Sequence, residues 1–131
     1  MSWEMHEKEF DSVISLPGKR RYAYFIKKLA DWEEVWSLWS EDGWVLAGDN
    51  QGHELVPVWP HERFASACIS DDWAGCVPKV IPLRVWMDRW IPGMIRDRRL
   101  VSVFRTPSGE SVLVSPERLI EDLEKEISLY E

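Results

Sequence analysis

The sequence predicts an α+β fold: an antiparallel sheet of about five short strands, arranged as a three-stranded meander plus a C-terminal hairpin, packed with three to four helices. Three observations carry the prediction. Apolar residues recur at helical spacing near both ends of the chain, in segments 16–31 and 116–130. Between them lie short runs of β-branched and aromatic residues bounded by Asp-Gly and Pro-Ser-Gly turn signals. The connections between these runs are short and hairpin-like, which favours antiparallel pairing. At 131 residues and 15.4 kDa, a split into two units would leave each half short of core. The reading is therefore an acidic lead-in over residues 1–15 and one α+β domain over residues 16–131.

The elements follow in order. In the lead-in, Phe10, Val13 and Ile14 can dock a short helix. Ser15 and Pro17 open the next helix as cap and first-turn proline, and Tyr22, Phe25, Ile26 and Leu29 form its inner stripe. Lys19, Arg20, Lys27 and Lys28 fall off that stripe, giving a basic outer face that ends near Asp31. Val35 to Trp39 reads as a strand, Asp42-Gly43 as its turn, and Trp44 to Ala47 as the return. Asp49-Asn50-Gln51-Gly52 is a second turn into a strand from Leu55 to Trp59, where Pro57 signals a sheet edge or a bulge. A short helix runs through Phe64, Ala65 and Cys68, and Trp73 to Val80 is irregular or a short strand. Pro82 starts a helix carrying Leu83, Val85, Trp86 and Trp90, which Pro92-Gly93 interrupts before a last piece to Arg98. Leu100–Phe104 and Val112–Val114 form the hairpin around Thr106-Pro107-Ser108-Gly109. Ser115-Pro116-Glu117 caps a terminal helix whose stripe is Leu119, Ile120, Leu123, Ile127 and Tyr130.

Composition narrows the function classes. Hydrophobic residues are 45% and charged residues 30%, which excludes disordered and fibrous classes. No charge-free run is long enough to span a bilayer, and the acidic N-terminus has no apolar leader, so the expected location is the cytoplasm, without membrane attachment. Two cysteines, Cys68 and Cys76, do not make a disulfide framework. The net charge of −7 is uneven: residues 16–30 hold five bases and no acid, whereas 31–75 hold ten acids and only Arg63 as a base. An acidic chain argues against nucleic acid as a partner, although Arg96, Arg98, Arg99 and Lys19, Arg20, Arg21 form two local basic blocks.

Nine tryptophans are the unusual feature: Trp3, Trp32, Trp36, Trp39, Trp44, Trp59, Trp73, Trp86 and Trp90. A domain this small cannot easily hide them all, so at least two partly exposed rings are expected. Along strand 35–39, Trp36 faces one side of the sheet and Val35 and Trp39 the other. Either helices cover both sides or one side meets a partner chain.

Catalytic and metal chemistries find little support. His61, Cys68 and Cys76 lack the close pairing of structural zinc ligands. No nucleophile elbow, Walker loop or dinucleotide fingerprint can be assembled, and the adjacent carboxylates Glu33-Glu34 and Asp71-Asp72 read as solvated surface. No catalytic residue, metal ligand or cofactor is therefore assigned.

The chain also carries ten ordered fragments: R-Y-x-Y-F at 21–25, V-W-x-L at 35–38, D-G-W at 42–44, W-P-H at 59–61, F-A at 64–65, W-A-G at 73–75, P-K-x-I-P-L at 78–83, W-I-P-G at 90–93, V-F-x-T-P-x-G at 103–109 and P-E-R-L-x-E-D-L at 116–123. Together they resemble the small bacterial family labelled domain of unknown function 2750, over about residues 20–131. The resemblance implies a bacterial, stand-alone, cytoplasmic protein and carries over no catalytic residue.

The function expected from these readings is a non-enzymatic protein-interaction module, partner-binding or immunity-type, whose acidic stretch 31–75 meets a basic target. The alternative is an enzyme or small-molecule binder with a concave pocket near Trp59, His61 and Trp73. The candidate interaction or pocket residues are Trp59, His61, Arg63, Asp71, Asp72 and Trp73. A homodimer that buries tryptophan surface is compatible with either.

Overall fold

The computed structural model describes residues 3–49, 51–70 and 73–130. Helix α1 (Glu7–Ile14) leads into α2 (Gly18–Trp32) through Ser15, which closes α1 by donating its hydroxyl to the Asp11 carbonyl at 2.9 Å. Ser15 is thus the end of α1 rather than the cap of α2, whose N-cap is Pro17. The stripe of α2 is buried as expected at Phe25, Ile26 and Leu29. It also takes in Arg21, only 1% exposed, whose Nε donates to the Phe104 carbonyl at 3.1 Å and Nη1 to the Leu16 carbonyl at 2.9 Å. Arg21, Phe25 and Leu29 stand at i, i+4, i+8, so the inner face claims the arginine.

The strands form two sheets instead of a meander plus a hairpin. In the first, β1 (Glu34–Ser40) is central, with β2 (Gly43–Trp44) on one side and β5 (Val77–Pro82) on the other. Both pairings are antiparallel, and β5 runs beside β1 from Glu34 opposite Pro82 to Trp39 opposite Val77. The second sheet has the order β3 (Ala47–Gly48), β4 (Glu54–Val58), β6 (Leu100–Val103), β7 (Val112–Val114). The expected return strand 44–47 is therefore split between the sheets. The C-terminal hairpin β6–β7 is present, with Val101 opposite Val114.

One pairing departs from the antiparallel expectation: β4 and β6 are parallel, with Leu55 beside Leu100 and Val58 beside Val103. Parallel neighbours need a long crossover, and the whole stretch from Trp59 to Arg99 supplies it. Strand β4 is accordingly interior, not an edge. Pro57 is tolerated there because its backbone faces away from β6, where β3 has already ended; its carbonyl instead accepts the Ser37 hydroxyl at 2.6 Å. Beside it Trp36 and Trp59 exchange backbone hydrogen bonds of 2.9 and 2.8 Å, so β1 and β4 join the two sheets along a seam.

Helix α3 (Glu62–Ser66) follows β4 and packs on β1 and β5. After β5, the chain is helical without a break from Leu83 to Asp97: α4 (Leu83–Val85), a π-helical turn (Trp86–Trp90) and α5 (Ile91–Asp97). The expected interruption at Pro92-Gly93 does not occur. A proline in an α-helix clashes with the carbonyl four residues back and removes a donor. Here the turn is widened just before it, with the Ile91 N–H bonding to the Trp86 carbonyl five residues back, and the ring is accommodated. The terminal helix α6 (Pro116–Ser128) packs on α2 and α5, and the Ser115 hydroxyl accepts from the Arg118 N–H at its start. The core lies between the helices and the sheets around Phe25, Leu38, Trp59, Phe64, Trp86, Phe104 and Leu119.

Candidate functional site

Only two of the nine tryptophans, Trp59 and Trp86, are fully buried. Trp32 is 38% exposed and the other six are half-buried. The fold arranges them in groups. On the face of β1 that carries Val35 and Trp39, the rings of Trp39, Trp44, Trp90 and Trp86 follow one another at centroid spacings of 5.2, 4.9 and 5.7 Å. Lys79 lays its ammonium 3.7 Å from the Trp39 ring. The widened helical turn lets Trp86 and Trp90, four residues apart, stack with only 29° between their planes.

The opposite face of β1 carries Trp36 and Glu34, with Val80 of β5 beside Trp36. The extended segment ahead of α1 passes over it, and a cleft of about 530 Å³ opens between them, lined by Trp3, Glu4, Glu34, Trp36, Glu62 and Val80 with Met5 and His61. Among the described residues its lining includes no Lys or Arg, and Lys28 lays its ammonium 4.8 Å from the Trp3 ring. Two indole N–H groups in this lining, those of Trp3 and Trp36, are buried and have no acceptor among the described residues. Burying such a donor without a partner costs about 1–3 kcal/mol.

His61 holds the N-terminal segment in place. Its Nδ1 accepts from the Arg63 N–H at 3.1 Å, which caps α3. Its Nε2 then carries the proton and donates to the Trp3 carbonyl at 2.8 Å. Arg63 pairs with Glu7, reaches the Met5 carbonyl and lies 4.6 Å over the Phe10 ring, which stacks on Phe64 at 5.3 Å. Tyr24 adds a hydrogen bond to Glu9; burial, and then this bond, push its phenol far above the ordinary tyrosine value.

A larger cleft of about 690 Å³ is bordered by the segment that follows α3, its lining including Ser40, Asp42, Trp44, Cys68, Trp73, Cys76 and Arg105. The guanidinium of Arg105 sits 5.1 Å over the Trp73 ring, and the Arg105 carbonyl accepts both the Trp59 N–H at 2.9 Å and the Cys68 thiol at 3.1 Å. Burial raises the Cys68 thiol above its ordinary value, against a smaller downward pull from Arg105, so it is a poor nucleophile at neutral pH. Among the described residues no three His, Cys, Asp or Glu side chains gather as a metal-holding group.

The six residues singled out from the sequence are thus divided. Trp59 is wholly buried and meets Trp73 edge-on at 6.1 Å. Trp73 belongs to the larger cleft and His61 to the acidic one, so the two line different clefts. Arg63 faces the N-terminal segment. Asp71 and Asp72 lie outside the described residues. Sequence reasoning missed Trp3, Trp36, Glu4 and Glu62 as a group, because nothing local links residues 3–5 to 34–36 and 61–62.

The architecture is that of a small α+β protein with two sheets, lacking any helix long and apolar enough to cross a membrane among its described residues. The chain belongs to the family described as protein of unknown function (DUF2750), whose profile matches residues 22–123. No curated protein matches it. The match begins after Trp3–His6, so one wall of the acidic cleft is built by residues ahead of the matched region.

Proposed function

We propose that this protein is a non-enzymatic interaction module of the bacterial cytoplasm that holds a basic polypeptide segment of a partner in the cleft between Trp3 and Trp36. The observation that carries the proposal is that Trp3 and Trp36, whose buried indole N–H groups have no acceptor among the described residues, line a cleft together with the carboxylates of Glu4 and Glu62. A peptide's carbonyls can satisfy the indoles, and its lysine or arginine side chains meet Glu4, Glu62 and the ring faces. An immunity-type role, in which an acidic surface steers and masks a basic target, fits this chemistry and the acid-rich stretch 31–75.

The test is a titration with a lysine-rich octapeptide and its glutamate-rich counterpart, read by tryptophan fluorescence at low and physiological salt. The lysine peptide binds, and binding weakens with salt. The double variant Glu4→Lys/Glu62→Lys loses at least about tenfold in affinity, and Trp36→Phe, which deletes one N–H, weakens binding as well. Equal binding of both peptides, or undiminished binding by the double variant, refutes the proposal.

A further inference from the structure

A third cleft, of about 330 Å³, opens where the helical run Leu83–Asp97 leans over the link between β2 and β3. Its floor is apolar, made by Trp44, Trp90, Leu46, Val56 and Met94. Its charged wall has the opposite sign to the acidic cleft: among the described residues, Arg89, Arg96 and Arg99 stand against Asp97. In a chain of net charge −7 this is a local excess of cation set on an apolar floor.

The arginines are not equally engaged. Asp97 is shared between Arg96 at 3.2 Å and Arg99 at 3.4 Å, and Arg99 also reaches Glu54 at 3.2 Å. The single carboxylate on the wall is therefore already committed to two guanidiniums. Arg89 has no carboxylate partner among the described residues, and its exposed fork of N–H donors stands at the mouth of the cleft. The widened turn sets this geometry. It brings Trp90 into line with Trp86 and against Trp44, at centroid spacings of 5.7 and 4.9 Å, so an indole face and edge, not a polar flank, meet the cavity. One turn on, Gly93 borders the cleft with no side chain, and a Cβ built there would meet only the end of Arg96, at 3.7 Å. The space is open because residue 93 leaves it open.

We propose that this cleft binds a small aromatic carboxylate, its flat body against Trp44 and Trp90 and its carboxylate on Arg89 with Arg96 and Arg99 around it. Planar guanidiniums take carboxylates in paired hydrogen bonds, and desolvated indoles take flat rings edge-on or stacked. The volume is at the low end for ligand sites and suits a body of one or two rings. A polyphosphate has no apolar part to occupy the floor and would set several charges against Asp97. The site shares no lining residue with the acidic cleft and does not depend on the partner-binding reading.

The probe is 2-naphthoate, titrated into the full chain with ¹⁵N-labelled tryptophan, with 2-naphthalenemethanol and inorganic phosphate as separate arms. The expected result is saturable movement of the Trp44 and Trp90 indole signals, still Trp3 and Trp32 signals, and naphthoate affinity at least about tenfold above either control. Arg89→Gln removes the open donor fork, and Gly93→Leu fills the floor while placing a better helix former in α5. Each lowers naphthoate affinity at least about tenfold in a protein whose melting temperature is not reduced. The proposal is overturned if the alcohol or phosphate binds as well as naphthoate, if neither variant weakens binding, or if the responding signals are not those of Trp44 and Trp90.

Discussion

Arg21 is a cation placed in the core with carbonyls, not carboxylates, for partners. Removing its guanidinium leaves the carbonyls of Leu16 and Phe104 without that donor. Each loss costs about 1–3 kcal/mol when the acceptor stays buried. Against this stands the desolvation of the guanidinium, which is relieved by substitution but lies at the modest end for a cation because its charge is spread over a weakly hydrated plane. Phe104 adds to the balance, since its backbone sits at φ 58°, a left-handed conformation costing a non-glycine residue about 1–2 kcal/mol, and the Arg21 Nε–H is one of its restraints. Arg21→Met, which keeps most of the volume, therefore costs about 2 kcal/mol, and Arg21→Ala, which also opens a cavity, about 4 kcal/mol. Urea unfolding followed by circular dichroism measures both, and the methionine variant should melt roughly 6–8 °C below the parent. An Arg21→Met protein as stable as the parent would show that desolvation outweighs the two hydrogen bonds, and the account of Arg21 as a structural clasp would fall.

Arg98 closes α5 at φ 58° and makes no hydrogen bond through its side chain among the described residues, so Arg98→Gly should raise stability by about 1 kcal/mol in the same urea assay. The phenols of Tyr22 and Tyr24 are raised by burial and then by their hydrogen bonds to Asp122 and Glu9. Because the folded values exceed the unfolded one, that stability is complete below about pH 10 and declines as pH climbs above it. Phenolate absorbance with unfolding at stepped alkaline pH checks the sign, and stability that rises there contradicts it. Of the two thiols, Cys76 should react with iodoacetamide in the native protein, whereas Cys68, buried and donating to the Arg105 carbonyl, should react only on unfolding. Mass spectrometry of the partly alkylated chain distinguishes them.

The parts of the fold that were readable are those whose causes are local. The terminal helix is announced by Ser115-Pro116-Glu117 and an unbroken apolar stripe, and the β6–β7 hairpin by its turn. What stayed hidden depends on residues far apart. The parallel neighbourhood of β4 and β6 is decided across the crossover from Trp59 to Arg99, and no residue in either strand encodes it. Strand β5 is obscured by Pro78 and Pro82, which are harmless because its second edge has no partner strand. Pro92 was misleading because proline punishes an α-turn and not a wider one. Arg21 did carry a signal, its i, i+4, i+8 spacing with Phe25 and Leu29, but charge argued the other way. At the candidate site the types of residue were legible, aromatic and acidic, and the pairing of Trp3 with Trp36 was not.

The strip of chain from Trp3 to Glu7, tied down by His61 and Arg63, makes one bank of the acidic cleft. Trp3 is at once a wall of that cleft and the residue whose carbonyl His61 holds, so bank and mooring coincide. Truncating the chain through His6 would therefore take away that bank, and the Trp3 indole with it, while leaving the family-matched region 22–123 whole.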